Sequence, residues 1–236
     1  MKRRPLWVLA LLLLLLPGVA VGHPVPSDQP RTVDAVLARY MDKVESRLQP
    51  RFQFAGLEWP PKEVFLVALK DVRRLELWAR SDAEWNFIRD YRIKGMSGTV
   101  GPKLKRGDRQ VPEGLYRIER LNPNSAFHLS LKINYPNAVD REQARREGRG
   151  DLGGDIFIHG KNVSTGCLAM GDNAIEELFV LTGLLGKEHV SVLIAPRDYR
   201  WRSFGEEEGT QPAWVRERNR HIAVNLMEFR QPRREP

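Results

Sequence analysis

The sequence predicts a mainly β, β-sandwich-like domain with peripheral helices, and therefore an α+β protein overall. Several short segments rich in branched and aromatic residues alternate between apolar and polar positions, the pattern of half-buried strands. Long helical patterns are few, and no internal repeat is visible. The 236 residues suffice for one domain with a substantial core.

The N-terminus has the pattern of a secretory signal peptide. Basic residues at positions 2–4 precede the apolar run Leu6–Leu16, and Ala20-Val21-Gly22 resembles a cleavage site. The run is shorter than the roughly 20 residues of a membrane span. We therefore expect residues 1–22 to be removed on export, leaving no stable membrane insertion; an uncleaved anchor is the alternative. No cysteine near the cleavage site could accept a lipid, so the expected location is the periplasm or cell envelope.

Charge and cysteine content narrow the function classes. The formal net charge is +8, and three of the positive residues lie in the predicted signal. The remaining surplus is spread along the chain without a nucleic-acid-binding motif, so nucleic acid is not an expected partner. The single cysteine, Cys167, cannot form an intramolecular disulfide. In an exported protein such a thiol is either an intermolecular partner or a reactive group.

The first predicted element is an amphipathic helix within a leader region of residues 23–60. Apolar residues recur at helical spacing from Thr32 to Leu48, with Thr32 or Asp34 as the N-cap. Because proline lacks an amide hydrogen and clashes with the preceding turn, Pro50 is predicted to end this helix.

A run of strands follows in the central segment, residues 61–197. Val64–Leu69 and Leu75–Ala79 predict a β-hairpin, and Trp85–Ile93 and Leu115–Ile118 predict further strands.

Strict alternation in Phe127–Ile133 predicts another strand, with Phe127 on its apolar face and His128 on its polar face. Asp140–Glu147 is charged and predicts a surface helix.

The remaining predicted elements are a short strand, a helix, a buried strand and a final helix, at Asp155–His159, Asn173 to Gly183 or Gly186, Val190–Ala195 and Ala213–Phe229. Asn173 and Glu176 have the spacing of a capping box, with Asn173 at the N-cap. The final helix belongs to a C-terminal extension, residues 198–236.

The segment "IHGKNVSTGCLAM" holds the candidate catalytic residues. A cysteine is mostly protonated at neutral pH, and an imidazole can accept its proton and later return it to a leaving amine. Cys167 lies eight positions after His159, enough for the chain to turn back and bring the two side chains together. Gly160 and Gly166 are predicted to adopt positive φ, and the amides of Gly166 and Cys167 to form an oxyanion hole. Spacing alone leaves open a buried, inert thiol.

Three segments resemble a known family. "IFIHGKNVSTGCLAM" resembles the active-site signature of YkuD-type L,D-transpeptidases, in which a strand ends in His-Gly and a later Ser-x-Gly-Cys carries the nucleophile. "GDRQVPEGLYRI" is similar to their D-x-x-T-P-x-G-x-[FY] segment, and "FHLSLKINYPNAVDR" to the central segment of the YafK-like branch. The commoner signature has a second histidine where this chain has Thr165. The arginine usual soon after the cysteine is also missing. Both departures match the compact YafK-like form.

The resemblance implies an exported acyltransferase that remodels the cell wall and forms a thioester on Cys167, with His159 as general base and then acid. Its substrate would be a peptidoglycan stem peptide, and neither a metal nor a cofactor is needed. Site-shaping roles fall to Gly160, Ser164, Thr165 and Gly166. The substrate approach would be lined by His128, Lys132, Asn134, Tyr135 and Asn137, although a solvated strand face and an ordinary turn explain these five equally well. Asp108, Pro112 and Gly114 are assigned to a structural turn.

Two other functions remain open on the sequence. The same acyl-enzyme could be resolved by water, giving an L,D-carboxypeptidase or endopeptidase, or an amidase that releases a peptidoglycan-linked lipoprotein as partner. A non-catalytic peptidoglycan-binding domain would instead bury Cys167 as an inert residue.

Overall fold

The computed structural model describes residues 30–202 and 211–230, which excludes the predicted signal and the first part of the leader. The described residues from Arg31 onward form one compact unit. Within the described ranges no helix is both long and apolar enough to cross a membrane.

The described residues form four α-helices and eight strands. The helices are α1 (Val33–Phe54), α2 (Ala138–Arg146), α3 (Asp172–Leu185) and α4 (Ala213–Leu226), and a 3₁₀ turn covers Lys187–His189. The strands are β1 (Glu63–Leu69), β2 (Arg74–Arg80), β3 (Asn86–Arg92), β4 (Gly114–Asn122), β5 (Ser130–Ile133), β6 (Phe157–His159), β7 (Leu168–Ala169) and β8 (Val190–Ala195).

The strands form one sheet in the order β3-β2-β1-β8-β4-β5-β6-β7. The β1–β8 and β6–β7 pairs are parallel and the others antiparallel. The predicted hairpin is confirmed, since Val64 pairs with Ala79 across β1 and β2. Strand β8 has the predicted bounds and lies at the centre of the sheet, where both faces are covered; this explains its continuous apolar sequence. The α+β class is confirmed.

Helices α1 and α3 cover one face of the sheet. Thr32 caps α1 as predicted, its hydroxyl oxygen accepting from the Ala35 amide at 3.1 Å. The prediction that Pro50 ends this helix is wrong, because α1 continues to Phe54. Phe52, just beyond the proline, is fully buried and packs against Trp59 with ring centroids 5.1 Å apart. Burial of this aromatic side chain offsets the hydrogen bond that Pro50 removes.

Helix α4 covers the opposite face. Its buried residues Ile222 and Leu226 belong to a second core cluster with Trp78 and Leu193 of the sheet. Phe229, which follows the helix, packs against Trp78 with ring centroids 5.6 Å apart. The C-terminal extension therefore supplies one wall of the core.

Two local predictions fail for identifiable reasons. Phe127 is 39% exposed, because His128 has a φ of 76° and the backbone becomes regular strand only at Ser130. Helix α3 begins at Asp172 with Gly171 at its N-cap and no side-chain cap. The predicted capping box is wrong: Glu176 is buried and binds Lys43 and His128 instead.

Candidate active site

A short parallel strand pair brings the chain segments of His159 and Cys167 side by side. Ile158 pairs with Leu168 and His159 with Ala169, so the same register places Cys167 beside Phe157. The Phe157 amide donates to the Cys167 Sγ at 3.4 Å. Because alternate residues of a strand share a face, extending this register by one residue puts Cys167 on the face of His159, with a Cα separation of about 8 Å expected from strand geometry. No hydrogen bond between these two side chains is present in the part of the chain that the structure describes.

The His159 imidazole is held in one tautomer. Its ring is buried, and Nδ1 lies 2.7 Å from the Gly160 carbonyl oxygen. Since a carbonyl can only accept, Nδ1 carries the proton and Nε2 is left as the proton acceptor. Burial lowers the pKa of His159, an effect that the Gly160 hydrogen bond opposes. The exposed Phe127 ring covers the imidazole at a centroid distance of 4.5 Å. The site thus keeps a neutral base at neutral pH.

The Cys167 thiol is protonated at rest. Burial raises its pKa, while the Phe157 amide and, more weakly, the Lys103 charge lower it. Sγ also lies 3.7 Å from the Asp155 carbonyl oxygen, toward which a protonated thiol can donate. A thiol with a raised pKa needs a base for attack, and a neutral histidine on the same face can supply one.

The two amides predicted to form an oxyanion hole already donate hydrogen bonds to serine hydroxyls. Ser164 Oγ accepts from the Cys167 amide at 3.0 Å and donates to the Cys167 carbonyl at 2.7 Å. Ser97 Oγ accepts from the Gly166 amide at 2.6 Å. Thr165 is an exposed residue, and its amide has no acceptor among the described residues. In this conformation the Thr165 amide is therefore the one free donor among the amides of Thr165, Gly166 and Cys167. A substrate oxygen would have to displace a serine hydroxyl to reach the other two.

The two glycines of the motif serve different purposes. Gly166 has a φ of 87°, as predicted. The prediction of positive φ at Gly160 is wrong, and close packing requires this glycine instead. A Cβ there would lie 2.5 Å from the Phe127 carbonyl oxygen and 2.7 Å from Asp172 Oδ1. Any larger residue would push apart the strand end that carries His159.

Sequence reasoning missed the segment 95–97, which lies against the thiol loop. Gly95 and Ala169 exchange backbone hydrogen bonds of 3.2 and 2.9 Å. A Cβ on Gly95 would lie 2.4 Å from the Asn162 carbonyl oxygen, so only glycine fits without movement. Ser97 joins the Gly166 amide to the Arg109 carbonyl, to which its hydroxyl donates at 2.8 Å. No local pattern marks these residues, because their partners are about 70 positions away.

A cavity of about 370 Å³ opens beside Thr165 and Gly166. Its other walls come from residues within the segments 103–109 and 153–156. Asp108 shapes the first segment, because its carboxylate accepts from the amides of Leu104, Lys105 and Gln110. The predicted structural turn at Asp108 is thus confirmed.

A buried carboxylate holds the base of the same loop. Glu113 accepts from Lys70 Nζ at 2.8 Å and from the Gly101 amide at 2.7 Å, and it pairs with Arg218 of α4 at 2.5 Å. Lys70 also donates to the carbonyls of Gly101 and Val111. The side chains of Lys70 and Glu113 are fully buried. Helix α4 is thereby tied to the loop that lines the cavity.

The predicted substrate-binding side chains do not gather around the thiol. His128 Nε2 bonds to Glu176 at 2.9 Å, and its ring packs edge-on against Tyr40 of α1. Lys132 lies between Glu119 and Asp155, at 3.2 and 3.1 Å. Since Asp155 is part of the cavity wall, Lys132 is the one of the five that is tied to that wall.

The other three have structural partners. Asn134 Oδ1 accepts from the Arg117 amide at 2.9 Å, and the Tyr135 hydroxyl is buried. Asn137 is the N-cap of α2 and also donates to the Leu115 carbonyl at 2.9 Å. A substrate contact by any of the five stays a prediction. Residues 30–202 and 211–230 contain no group of three His, Cys, Asp or Glu side chains placed to hold a metal ion.

The similarity to known proteins covers the same part of the chain. The family model of the L,D-transpeptidase catalytic domain, YkuD, matches residues 64–190, more than half of the chain. Two curated proteins named "Putative L,D-transpeptidase YafK", from Escherichia coli K12 and O157:H7, are 36% identical over 138 residues. The match covers 56% of this chain and 54% of each relative, so the chain spans about half the length of these relatives.

Solved structures with similar folds were also found. The helical cell shape determining protein Pgp2 from Campylobacter jejuni is 22% identical, with a TM-score of 0.48 over 59% of this chain and 50% of that chain. L,D-transpeptidase 1 of Mycobacterium tuberculosis is 12% identical, with a TM-score of 0.33 over 58% of this chain and 73% of that chain.

Proposed function

Because the chain belongs to the YkuD family of L,D-transpeptidase catalytic domains, we propose that it is an exported cysteine acyltransferase acting on peptidoglycan stem peptides. One observation carries the proposal: the Gly160 carbonyl holds the proton of His159 on Nδ1, so Nε2 is free as a base on the face that bears Cys167. A buried, inert cysteine would not need an oriented neutral imidazole beside it.

In the proposed first half-reaction, His159 Nε2 removes the proton of Cys167 as the thiolate attacks the carbonyl at the L-centre of diaminopimelate. A carbon–sulfur bond forms and the carbonyl oxygen becomes an oxyanion. We assign the Thr165 amide, which has no acceptor among the described residues, as the first donor to this oxyanion; the Gly166 amide can follow once the substrate oxygen displaces Ser97 Oγ. Collapse breaks the carbon–nitrogen bond, and the leaving amine takes the proton from His159, leaving a thioester.

In the second half-reaction an acceptor amine attacks the thioester and gives its proton to His159. The new amide forms, the carbon–sulfur bond breaks, and the thiolate recovers the proton. If the acceptor is an amine of another stem, the product is a crosslink; if it is water, the product is a trimmed stem or a released lipoprotein. The dyad acts in the same way in each case, so the acceptor has to be established by product analysis.

The deciding experiment incubates the purified protein with defined muropeptides and identifies the products by mass spectrometry. We expect crosslinked dimers from the wild type and none from Cys167→Ala, with unchanged circular dichroism. If only trimmed stems and no dimers are formed, the proposed activity is that of a hydrolase and not of a transferase. A second measurement, acylation by a carbapenem, detects the thioester independently of the acceptor. If Cys167 is neither acylated by the carbapenem nor alkylated by iodoacetamide in the folded protein, the enzyme proposal is wrong.

Export is tested separately. N-terminal sequencing of protein recovered from the cell envelope should begin after the signal, at about residue 23.

A further inference from the structure

Among the described residues, the charged side chains that line the cavity beside Thr165 and Gly166 are paired with one exception. Lys103 bonds to Asp108 at 2.6 Å and its side chain is only 5% exposed. Arg106 pairs with Asp151. The cavity-wall carboxylate of Asp155 pairs with Lys132, as described above.

Arg109 is the exception. Its side chain is exposed and lines the cavity, and its guanidinium has no hydrogen bond or ion pair within the described ranges. Arg109 is therefore the one cation of the cavity wall that no side chain of residues 30–202 and 211–230 neutralises.

The backbone of Arg109 is fixed relative to the thiol loop. Its φ of 58° is uncommon for a residue other than glycine, and such a conformation persists only when the surroundings impose it. Its carbonyl accepts from Ser97 Oγ, which accepts in turn from the Gly166 amide. The Asp108 turn holds the chain on the other side. The unpaired guanidinium thus extends from an anchored backbone, two hydrogen bonds away from the residue before Cys167.

We propose that Arg109 is a specificity-determining residue that binds the side-chain carboxylate of diaminopimelate. This inference rests on the proposed function. Diaminopimelate has two carboxyl groups, and attack at one leaves the other as a free anion on the same residue. A guanidinium presents paired donors that match a carboxylate in geometry and charge. Lysine is the chemical analogue that lacks only this second carboxylate, so a lysine-containing stem leaves Arg109 without its partner.

The test compares three stem peptides that differ at this one group: diaminopimelate, diaminopimelate amidated on the side-chain carboxylate, and lysine. For the wild type we expect kcat/KM about tenfold higher with the free carboxylate than with either analogue, the low end for a hydrogen bond to a charged group. Arg109→Gln should lower kcat/KM for the diaminopimelate stem to the value of the analogues and leave the analogues unchanged. Arg109→Lys, which keeps the charge, should restore part of the preference.

Lys105→Gln is the matched control, because it removes the same charge from the same loop at a residue that does not line the cavity. It should leave the preference intact. The inference is overturned if Arg109→Gln keeps the wild-type preference, or if it lowers all three substrates equally. It is also overturned if the wild type does not discriminate. If the wild type turns over none of the stems and forms no acyl-enzyme, the proposed function itself has failed.

Discussion

Replacing Glu113 by glutamine removes an anion that two cations share in the interior. The side chains of Glu113 and Lys70 are fully buried, and that of Arg218 is 15% exposed. Glutamine preserves the shape of the side chain and can still accept from the Gly101 amide. What it removes is the negative charge, so Lys70 is left as a buried cation without a counter-ion.

The size of the effect follows from the two ways in which the variant can respond. Breaking a buried ion pair from one side typically costs about 3–5 kcal/mol. The loss has an upper limit, because Lys70 can instead be buried uncharged. Releasing the proton of an ordinary lysine at pH 7 costs about 5 kcal/mol, and at pH 9 about 2 kcal/mol. We therefore expect the variant to lose about 3–5 kcal/mol at pH 7, equivalent to about 10 °C in Tm, and about 2 kcal/mol at pH 9.

The sign of the pH effect can be stated from burial alone. Burial lowers the pKa of Lys70 in the folded protein, and Glu113 opposes this shift. Without Glu113 the folded state binds this proton still less readily than the unfolded chain does. Because the unfolded state then binds more protons, the stability of the variant rises with pH below the ordinary lysine value. The difference in unfolding free energy between the wild type and the variant should therefore become smaller from pH 7 to pH 9.

Urea unfolding followed by circular dichroism at pH 7 and pH 9 measures this difference. Glu63→Gln is the control, since it breaks a half-exposed pair with Arg80 and should change stability by less than about 1 kcal/mol. A loss below about 1 kcal/mol for Glu113→Gln at pH 7 would refute the reasoning. So would a gap that widens at pH 9.

Three further predictions concern the site. Because burial lowers the pKa of His159, the acid limb of the carbapenem acylation rate should lie below pH 6.5. For the same reason, this residue should make the fold more stable as pH rises through that window. An acid limb above pH 6.5 would contradict the assigned environment. Gly160→Ala should cost about 1–3 kcal/mol in urea unfolding and slow acylation, whereas Gly150→Ala, with open space around it, should change stability by less than about 0.5 kcal/mol. Asn137→Ala should cost about 1 kcal/mol through its lost cap and leave KM for muropeptides unchanged; a raised KM would instead support the predicted substrate contact.

The sequence was sufficient for the elements whose signal is local. The β1–β2 hairpin, the central strand β8 and the cap at Thr32 follow from alternation, apolar runs and capping chemistry within a few residues. Where tertiary contacts decide, local rules fail. Pro50 should end a helix, but the buried Phe52 lies on the far side of it and the helix continues.

The candidate site also contains features that the local sequence predicts and features that depend on distant partners. His159 and Cys167 are close in sequence, and a glycine-containing turn makes their approach predictable. The serine that occupies the Gly166 amide is 69 positions away, and α4 reaches Glu113 across 105 positions. Such partners are set by the path of the sheet, which no local pattern encodes. The free donor of Thr165 could not be predicted either, because it depends on which hydroxyls take the neighbouring amides.

The position of β8 has a consequence for how the chain can be divided. The family match ends at residue 190, where this strand begins, yet β8 is hydrogen-bonded to β1 on one side and β4 on the other. A fragment trimmed to the matched segment would split the sheet into two halves with unpaired edges. It would also lose α4 and leave the Trp78 face bare, and both defects favour aggregation. We therefore expect the smallest fragment that folds to extend beyond residues 64–190, the segment that the family model matches.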